Sequence, residues 1–186
     1  ARQKLLDYLA LVQKWNKVYN LTAVRDAEKM LTHHLFDSLA VVPYVTAKTI
    51  LDVGSGAGLP GIPLALALPD AHVTLLDSSH KKAAFLNQAV IELKLSNVEV
   101  VCDRVEKYQS KQQFELVISR AFSELPEFVA QAGSLVAVGG TLLAMKGVHP
   151  FEEIAQLKGV FKLSGVTPLA VPGLEAERHL VFMKAA

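Results

Sequence analysis

The chain has 186 residues, 51% hydrophobic and 20% charged, which suits one compact domain with a sizeable core and leaves little room for a second. Its 19 basic and 18 acidic residues give a net charge of +1, so any nucleic-acid partner has to be met by a local basic patch. The single cysteine, Cys102, excludes an internal disulfide, and the absence of an export signal and of a long apolar run favours a cytoplasmic protein without a membrane anchor.

Residues 1–46 show the apolar spacing that is typical of two helices. The first helix has its apolar positions at Leu5, Leu6, Leu9, Val12, Trp15 and Val18. The second has them at Met30, Leu31, Leu35, Leu39 and Val42. Because the chain starts without Met inside the first helix, we expect a few residues to precede it.

From residue 49 onward, predicted strands alternate with predicted helices, as in a doubly wound sheet. The predicted strands are TILDV, HVTLLD, VEVV, ELVIS and GTLLAMK, and VFKLSGVTPLAV and ERHLVFMK are expected to pair as a hairpin. We therefore predict an α/β, Rossmann-like fold with a mostly parallel seven-stranded sheet, a C-terminal antiparallel hairpin and N-terminal helices. Residues 1–186 would form a single domain, with 1–46 as its helical part and 47–186 as its core.

A glycine-rich loop, LDVGSGAGLPG, follows the first predicted strand and can be interpreted in two ways. Gly56, Gly58 and Gly61 fit the G-x-G-x-x-G pattern of dinucleotide-binding folds. Asp52 with Gly54, Gly56 and Gly58 fits the D-x-G-x-G-x-G loop of S-adenosylmethionine (AdoMet) methyltransferases. Either cofactor can use glycines that let a ligand approach the main chain at the start of a helix.

Asp52 favours AdoMet, because a carboxylate suits the positively charged amino group of that cofactor and would repel a pyrophosphate. Asp77 ends the second predicted strand, where its carboxylate can accept hydrogen bonds from ribose hydroxyls of either cofactor. A nicotinamide-dependent oxidoreductase is therefore the alternative enzyme class, and a non-catalytic RNA-binding protein with a nucleotide fold is a third possibility.

Six motifs in order, KWNKVYNLTAVRD, HLFDSL, DVGSGAGLPGIPLA, LLDSSHKKAAFL, VISRAF and ERHLVFMK, resemble the RsmG (GidB) family of bacterial ribosomal RNA methyltransferases. The resemblance runs nearly end to end. It implies a class I AdoMet-dependent methyltransferase that modifies N7 of a guanine, nucleotide 527 in conventional numbering, in 16S ribosomal RNA. It also implies that the substrate is this RNA, alone or within the small subunit, and we expect a monomer.

Methylation at N7 uses an existing lone pair and so requires no catalytic base. In agreement, the fourth predicted strand ends in SRAF instead of the N-P-P-Y or D-P-P-Y of amino-group methyltransferases. Arg120 in that motif can address guanine O6 or a phosphate, and Lys146 ends the fifth strand at the same edge of the sheet. We predict these two as the catalytic residues.

The remaining predicted site residues fall into two groups. The expected cofactor contacts are Asp52, Gly54, Ser55, Gly56, Gly58, Asp77, Val105, Glu106 and Arg120. The expected RNA contacts are Asn20, His34, Arg104 and Arg178.

Several of these residues also have ordinary structural explanations. His34 and Asp37 share one helix face, a spacing that equally suits a structural hydrogen bond. Lys81 and Lys82 fit a solvated helix face as well as a phosphate contact, and we assign them no role. The His33–His34 pair lacks a second pair of ligands, so no metal site is expected.

Overall fold

The computed structural model describes residues 1–122 and 124–186, and its centre is a seven-stranded sheet in the order β3-β2-β1-β4-β5-β7-β6. The strands are β1 (Thr49–Val53), β2 (His72–Asp77), β3 (Val98–Cys102), β4 (Phe114–Ser119), β5 (Val136–Lys146), β6 (Phe161–Pro168) and β7 (His179–Ala185). Strands β1 to β5 are parallel, and β7 runs antiparallel to both β5 and β6. This topology confirms the predicted Rossmann-like fold and its C-terminal hairpin.

The helices cover both faces of the sheet and also form an N-terminal group. They are α1 (Arg2–Tyr19), α2 (Ala27–Met30), α3 (Asp37–Leu39), α4 (Gly61–Ala67), α5 (His80–Glu92), α6 (Leu125–Ala132) and α7 (Phe151–Ala155). A π-helical segment, Leu31–Phe36, joins α2 to α3, and short 3₁₀ turns occupy Val42–Tyr44 and Gly133–Leu135. The second predicted N-terminal helix is thus a composite of α, π and 3₁₀ turns.

Two helices begin at a residue whose side chain caps the first turn. The Asp26 carboxylate accepts a hydrogen bond from the Lys29 N–H and so caps α2, and the Ser79 hydroxyl does the same for Lys82 at the start of α5. Strand β5 begins four residues before the predicted GTLLAMK run, because Val136 already pairs with Phe114 of β4. Gly139 takes a φ of 76° there, and the pairing of β5 with β4 shifts register.

Alternate residues of the strands belong to two apolar clusters, one on each face of the sheet. Ile50 packs with α1, α4 and α5 on one face, whereas the adjacent Leu51 packs with α6 and the C-terminal strands on the other. In α1, Leu6 and Val18 are 46% and 71% exposed, although they fit the predicted apolar spacing. The fully buried Tyr8 belongs to the face that packs on the domain.

Because β1, β2, β4 and β5 are parallel, their carboxyl ends meet along one edge, where ligands bind in open α/β sheets. The N-terminal helices lie over this edge, since Arg120 after β4 contacts His33, His34 and Asp37. Within the described parts of the chain, no helix is long and apolar enough to cross a membrane.

Candidate active site

The glycine-rich loop begins directly after β1, and its first glycine needs both a left-handed backbone and close packing. Gly54 has a φ of 68°, and a Cβ added there would lie 2.7 Å from the Cβ of Ala121. At the other end of the loop, a Cβ on Gly61 would meet Leu75 and the Asp52 carboxylate. Glycine is therefore required at both positions by geometry, independently of any ligand.

Asp52 lies beneath this loop, where its carboxylate contacts two of the loop's own residues. Its side chain is fully buried, and Oδ2 accepts hydrogen bonds from the Ser55 hydroxyl and the Gly61 N–H, both at 2.9 Å. Burial raises the pKa of Asp52 to about 7, although these two hydrogen bonds oppose the shift. The carboxylate thus links Ser55 to Gly61 across the loop, and the cofactor contact that the sequence suggested for it stays a prediction.

A cavity of about 460 Å³, called here the cofactor cavity, opens between the ends of β1, β2 and β3. Five predicted residues lie on its wall: Gly54, Asp77, Arg104, Val105 and Glu106. Arg104 and Glu106 are 3.9 Å apart across an exposed ion pair. The structure therefore places Arg104 with the predicted cofactor residues, whereas the sequence assigned it to RNA.

Asp77 is held in the cavity wall by main-chain donors. Its Oδ2 accepts from the Gly56 N–H at 2.8 Å and its Oδ1 accepts from the Ser79 N–H at 2.9 Å. Each carboxylate oxygen has further lone pairs, so the group can still accept hydrogen bonds from a ligand. Its position at the end of β2 is the one predicted for a ribose contact.

A second cavity of about 360 Å³, called here the substrate cleft, lies at the same sheet edge beneath the N-terminal helices. It brings together His34, Asp37, Arg120, Lys146 and Arg178. Asp37 is the centre of this group: Oδ2 lies 3.3 Å from Arg120 and Oδ1 lies 3.1 Å from Nε of Arg178. Burial raises the pKa of Asp37, while the two guanidinium groups oppose the shift.

His34 is a neutral link between the N-terminal helices and Arg120. Burial lowers the pKa of His34 to about 4, and the charge of Arg120 adds to the shift. Since Arg120 donates to Nδ1 at 3.4 Å, the ring proton belongs on Nε2, which then donates to the Thr22 hydroxyl at 2.8 Å. His34 and Asp37 are thus both bound to Arg120.

Lys146 is anchored at the other wall of the substrate cleft. Its ammonium group lies 2.9 Å from the Glu153 carboxylate and donates to the Phe122 carbonyl at 3.2 Å. The same Glu153 oxygen accepts from the N–H of Leu125 at the start of α6. Lys146 therefore has a fixed position, with its side chain 11% exposed.

A smaller cleft of about 160 Å³ connects the glycine-rich loop with the substrate side. Its wall includes Thr22, Gly56, Ala57 and Arg120. The carbonyl of Ala57 accepts a 2.5 Å hydrogen bond from the hydroxyl of the fully buried Tyr8, so α1 is tied to the loop. Arg120 is a wall residue of both this cleft and the substrate cleft.

Asn20 lies apart from the described walls of these three cavities. It ends α1 with a φ of 50°, and its side-chain oxygen accepts from Arg25. Lys81 and Lys82 start α5 and also lie off these walls. These three positions have structural explanations, namely a helix end and a solvated helix turn.

Three residues that contribute to the site were missed in the sequence: Tyr8, Thr22 and Glu153. Helical spacing places Tyr8 near Leu5 and Val12, which signals burial but not the partner of its hydroxyl. Thr22 follows α1 in an irregular segment, and Glu153 reaches Lys146 from a different element. Only the tertiary structure brings these side chains to the site.

Comparison with known proteins decides the family. The family model GidB, rRNA small subunit methyltransferase G, matches residues 1–181. The chain belongs to the GidB family. Two relatives named ribosomal RNA small subunit methyltransferase G, from Nitrosospira multiformis and Chromobacterium violaceum, are 57% and 58% identical. The alignments cover 98% and 96% of this chain, and 88% and 86% of those proteins.

Membership of the GidB family confirms the resemblance in the sequence, and AdoMet is the cofactor. The O-methyltransferase TomG from Streptomyces achromogenes, solved with AdoMet, superposes with a TM-score of 0.61 at 18% identity. That alignment covers 97% of this chain and 90% of TomG and shows the shared fold. This GidB-family chain is thus an AdoMet-dependent methyltransferase of the Rossmann-like class.

Proposed function

We propose that this chain transfers a methyl group from AdoMet to N7 of a guanine in 16S ribosomal RNA, at nucleotide 527. The names of its relatives support the RNA class, since they act on small-subunit ribosomal RNA. The observation that carries the proposal is the position of Arg120. It lines both the cleft beside the glycine-rich loop and the substrate cleft, which supports a role between a methyl donor at the loop and an acceptor in the substrate cleft.

The cofactor cavity has a donor and acceptor set that fits AdoMet. The Asp77 carboxylate suits ribose hydroxyls, and Val105 and Glu106 lie where an adenine can be held by main chain and carboxylate. Gly54 and Gly56 leave the main chain open to the amino-acid end of the ligand. When bound, AdoMet supplies an electrophilic methyl group on a positively charged sulfur.

The residues of the substrate cleft suit an acceptor that already has a lone pair. His34 is neutral and hydrogen-bonded on both ring nitrogens, so it is a positioning residue and not a base. Arg120 presents planar donors that can hold guanine O6 beside N7. The task of this site is therefore alignment of the base, for which fixed side chains are sufficient.

Methyl-labelled AdoMet, incubated with 16S RNA and with intact small subunits, tests the proposal. The label should appear at one guanine, and reduction followed by aniline cleavage should break the chain there, as expected for N7-methylguanine. Arg120→Lys should reduce transfer strongly because it loses the planar fork, whereas Lys162→Ala on an exposed part of β6 should not. Label on an amino group or a ribose would contradict the proposed site.

A further inference from the structure

The loop after β5 and the first residue of α7 expose two large apolar side chains near the carboxyl end of β5. Val148 is 68% exposed and Phe151 is 72% exposed. Both follow Lys146 and Gly147, two wall residues of the substrate cleft, by only a few residues. Exposed large apolar groups next to a binding cleft are candidates for contact with the ligand.

Phe151 is the outer ring of an ordered stack. Its ring centroid is 3.7 Å from that of His149, with 25° between the planes. His149 in turn meets the edge of His179 at 5.5 Å, and His179 Nδ1 donates to the Gly147 carbonyl at 2.8 Å. We call these three rings the aromatic shelf. Since one face of Phe151 is covered by His149 and most of the residue is exposed, the other face is open.

The aromatic shelf continues the wall of the substrate cleft. Gly147, which holds His179, is itself a wall residue of that cleft, together with Lys146 and Arg178. In the β5–β7 pair, His179 lies directly opposite Lys146. The aromatic shelf is thus joined to the wall of the cleft through His179 and Gly147, next to the cationic Lys146.

We propose that the aromatic shelf stacks a base of a nucleotide that flanks the methylated guanine. This inference rests on the proposed RNA substrate. Single-stranded RNA is typically held by aromatic faces that stack on bases next to cations that meet phosphates. The described wall of the cleft carries three cations, Arg120, Lys146 and Arg178. They form ion pairs with only two carboxylates, Asp37 and Glu153, and this excess of positive charge favours a polyanion.

Phe151→Leu and Phe151→Trp separate stacking from simple apolar contact. Leucine keeps an apolar side chain without a π face, whereas tryptophan keeps a stacking surface. With an RNA fragment that carries 2-aminopurine next to the target guanine, the wild type should quench the fluorescence on binding, Phe151→Trp should retain the quenching, and Phe151→Leu should lose it. The KM for RNA should rise roughly five- to hundredfold in Phe151→Leu, while the dissociation constant for AdoMet stays unchanged.

Val160→Ala is the matched control, because Val160 is 67% exposed and precedes β6, outside the described walls of the cleft. Equal RNA affinity of Phe151→Leu and the wild type would overturn the stacking role, even if methylation at N7 is confirmed. An increase in KM confined to assembled subunits, with naked RNA unaffected, would also overturn it in favour of a ribosomal protein contact. If no N7-methylguanine forms, the proposed reaction fails, while the quenching of bound RNA still decides the role of the shelf.

Discussion

Asp37→Asn tests whether one carboxylate organises the substrate cleft. The carboxylate accepts from Arg120 and from Arg178, and its side chain is only 5% exposed. Each charge-assisted hydrogen bond contributes about 1.5–3 kcal/mol. An asparagine can accept from one arginine but presents an NH₂ group to the other. The two guanidiniums are 26% and 24% exposed, so water compensates in part.

We therefore expect Asp37→Asn to lower the free energy of unfolding by about 2–3 kcal/mol, which corresponds to a fall in melting temperature of about 5–10 °C for a chain of this size. The single-turnover rate of methylation should fall at least tenfold, because Arg120 loses the group that orients it. Thermal unfolding by circular dichroism and transfer of labelled methyl measure the two effects. The exposed Asp70→Asn is the control. A variant that melts within 1 °C of the wild type would refute the role of this carboxylate.

Tyr8→Phe keeps the buried ring but leaves the Ala57 carbonyl without its donor, so the free energy of unfolding should fall by about 1–3 kcal/mol and AdoMet should bind more weakly. Tyr19→Phe, at a 42% exposed position, should change neither quantity in a denaturant titration. Asp77→Ala should reduce the increase in melting temperature produced by AdoMet, and NAD should stabilise neither protein; stabilisation by NAD would favour the dinucleotide alternative. Because the pKa of His34 is lowered from 6.5 to about 4, the contribution of its neutral ring to the free energy of unfolding is fully present above pH 6.5. This contribution is lost as the pH falls towards 4. His34→Asn should flatten that part of the stability profile, and the wild-type single-turnover rate should stay flat between about pH 6 and 8, unlike a reaction that needs a histidine base.

Much of the fold could be predicted because strands and helices each have a local signal. The period of apolar residues placed β1, β2 and β4 within a residue of their observed bounds. The signal failed where tertiary contacts overrode it. The predicted strand starts at Gly140, but Val136 already pairs with Phe114 of β4, across a register shift that includes both glycines.

The predicted site residues were found by a different signal, namely polar side chains at the ends of predicted strands. Asp77, Arg120 and Lys146 all lie at one sheet edge for this reason. Their partners could not be found in this way, because Tyr8 and Glu153 belong to helices whose docking is set by tertiary packing. The sequence identifies which polar residues reach the edge, but not which of them are bound to one another.

The contacts of Arg120 join the N-terminal helices to the carboxyl edge of the sheet. The sheet and the glycine-rich loop form the cofactor cavity, and α1 contacts this loop through the hydrogen bond from Tyr8 to the Ala57 carbonyl. The substrate cleft depends on the N-terminal helices directly, since His34 and Asp37 orient Arg120 from above the sheet edge. Because the guanidinium is a rigid planar group, its bonds to these two residues also fix the face that it presents to an acceptor. The acceptor contact proposed for Arg120 therefore depends on how residues 1–46 pack against the strand ends.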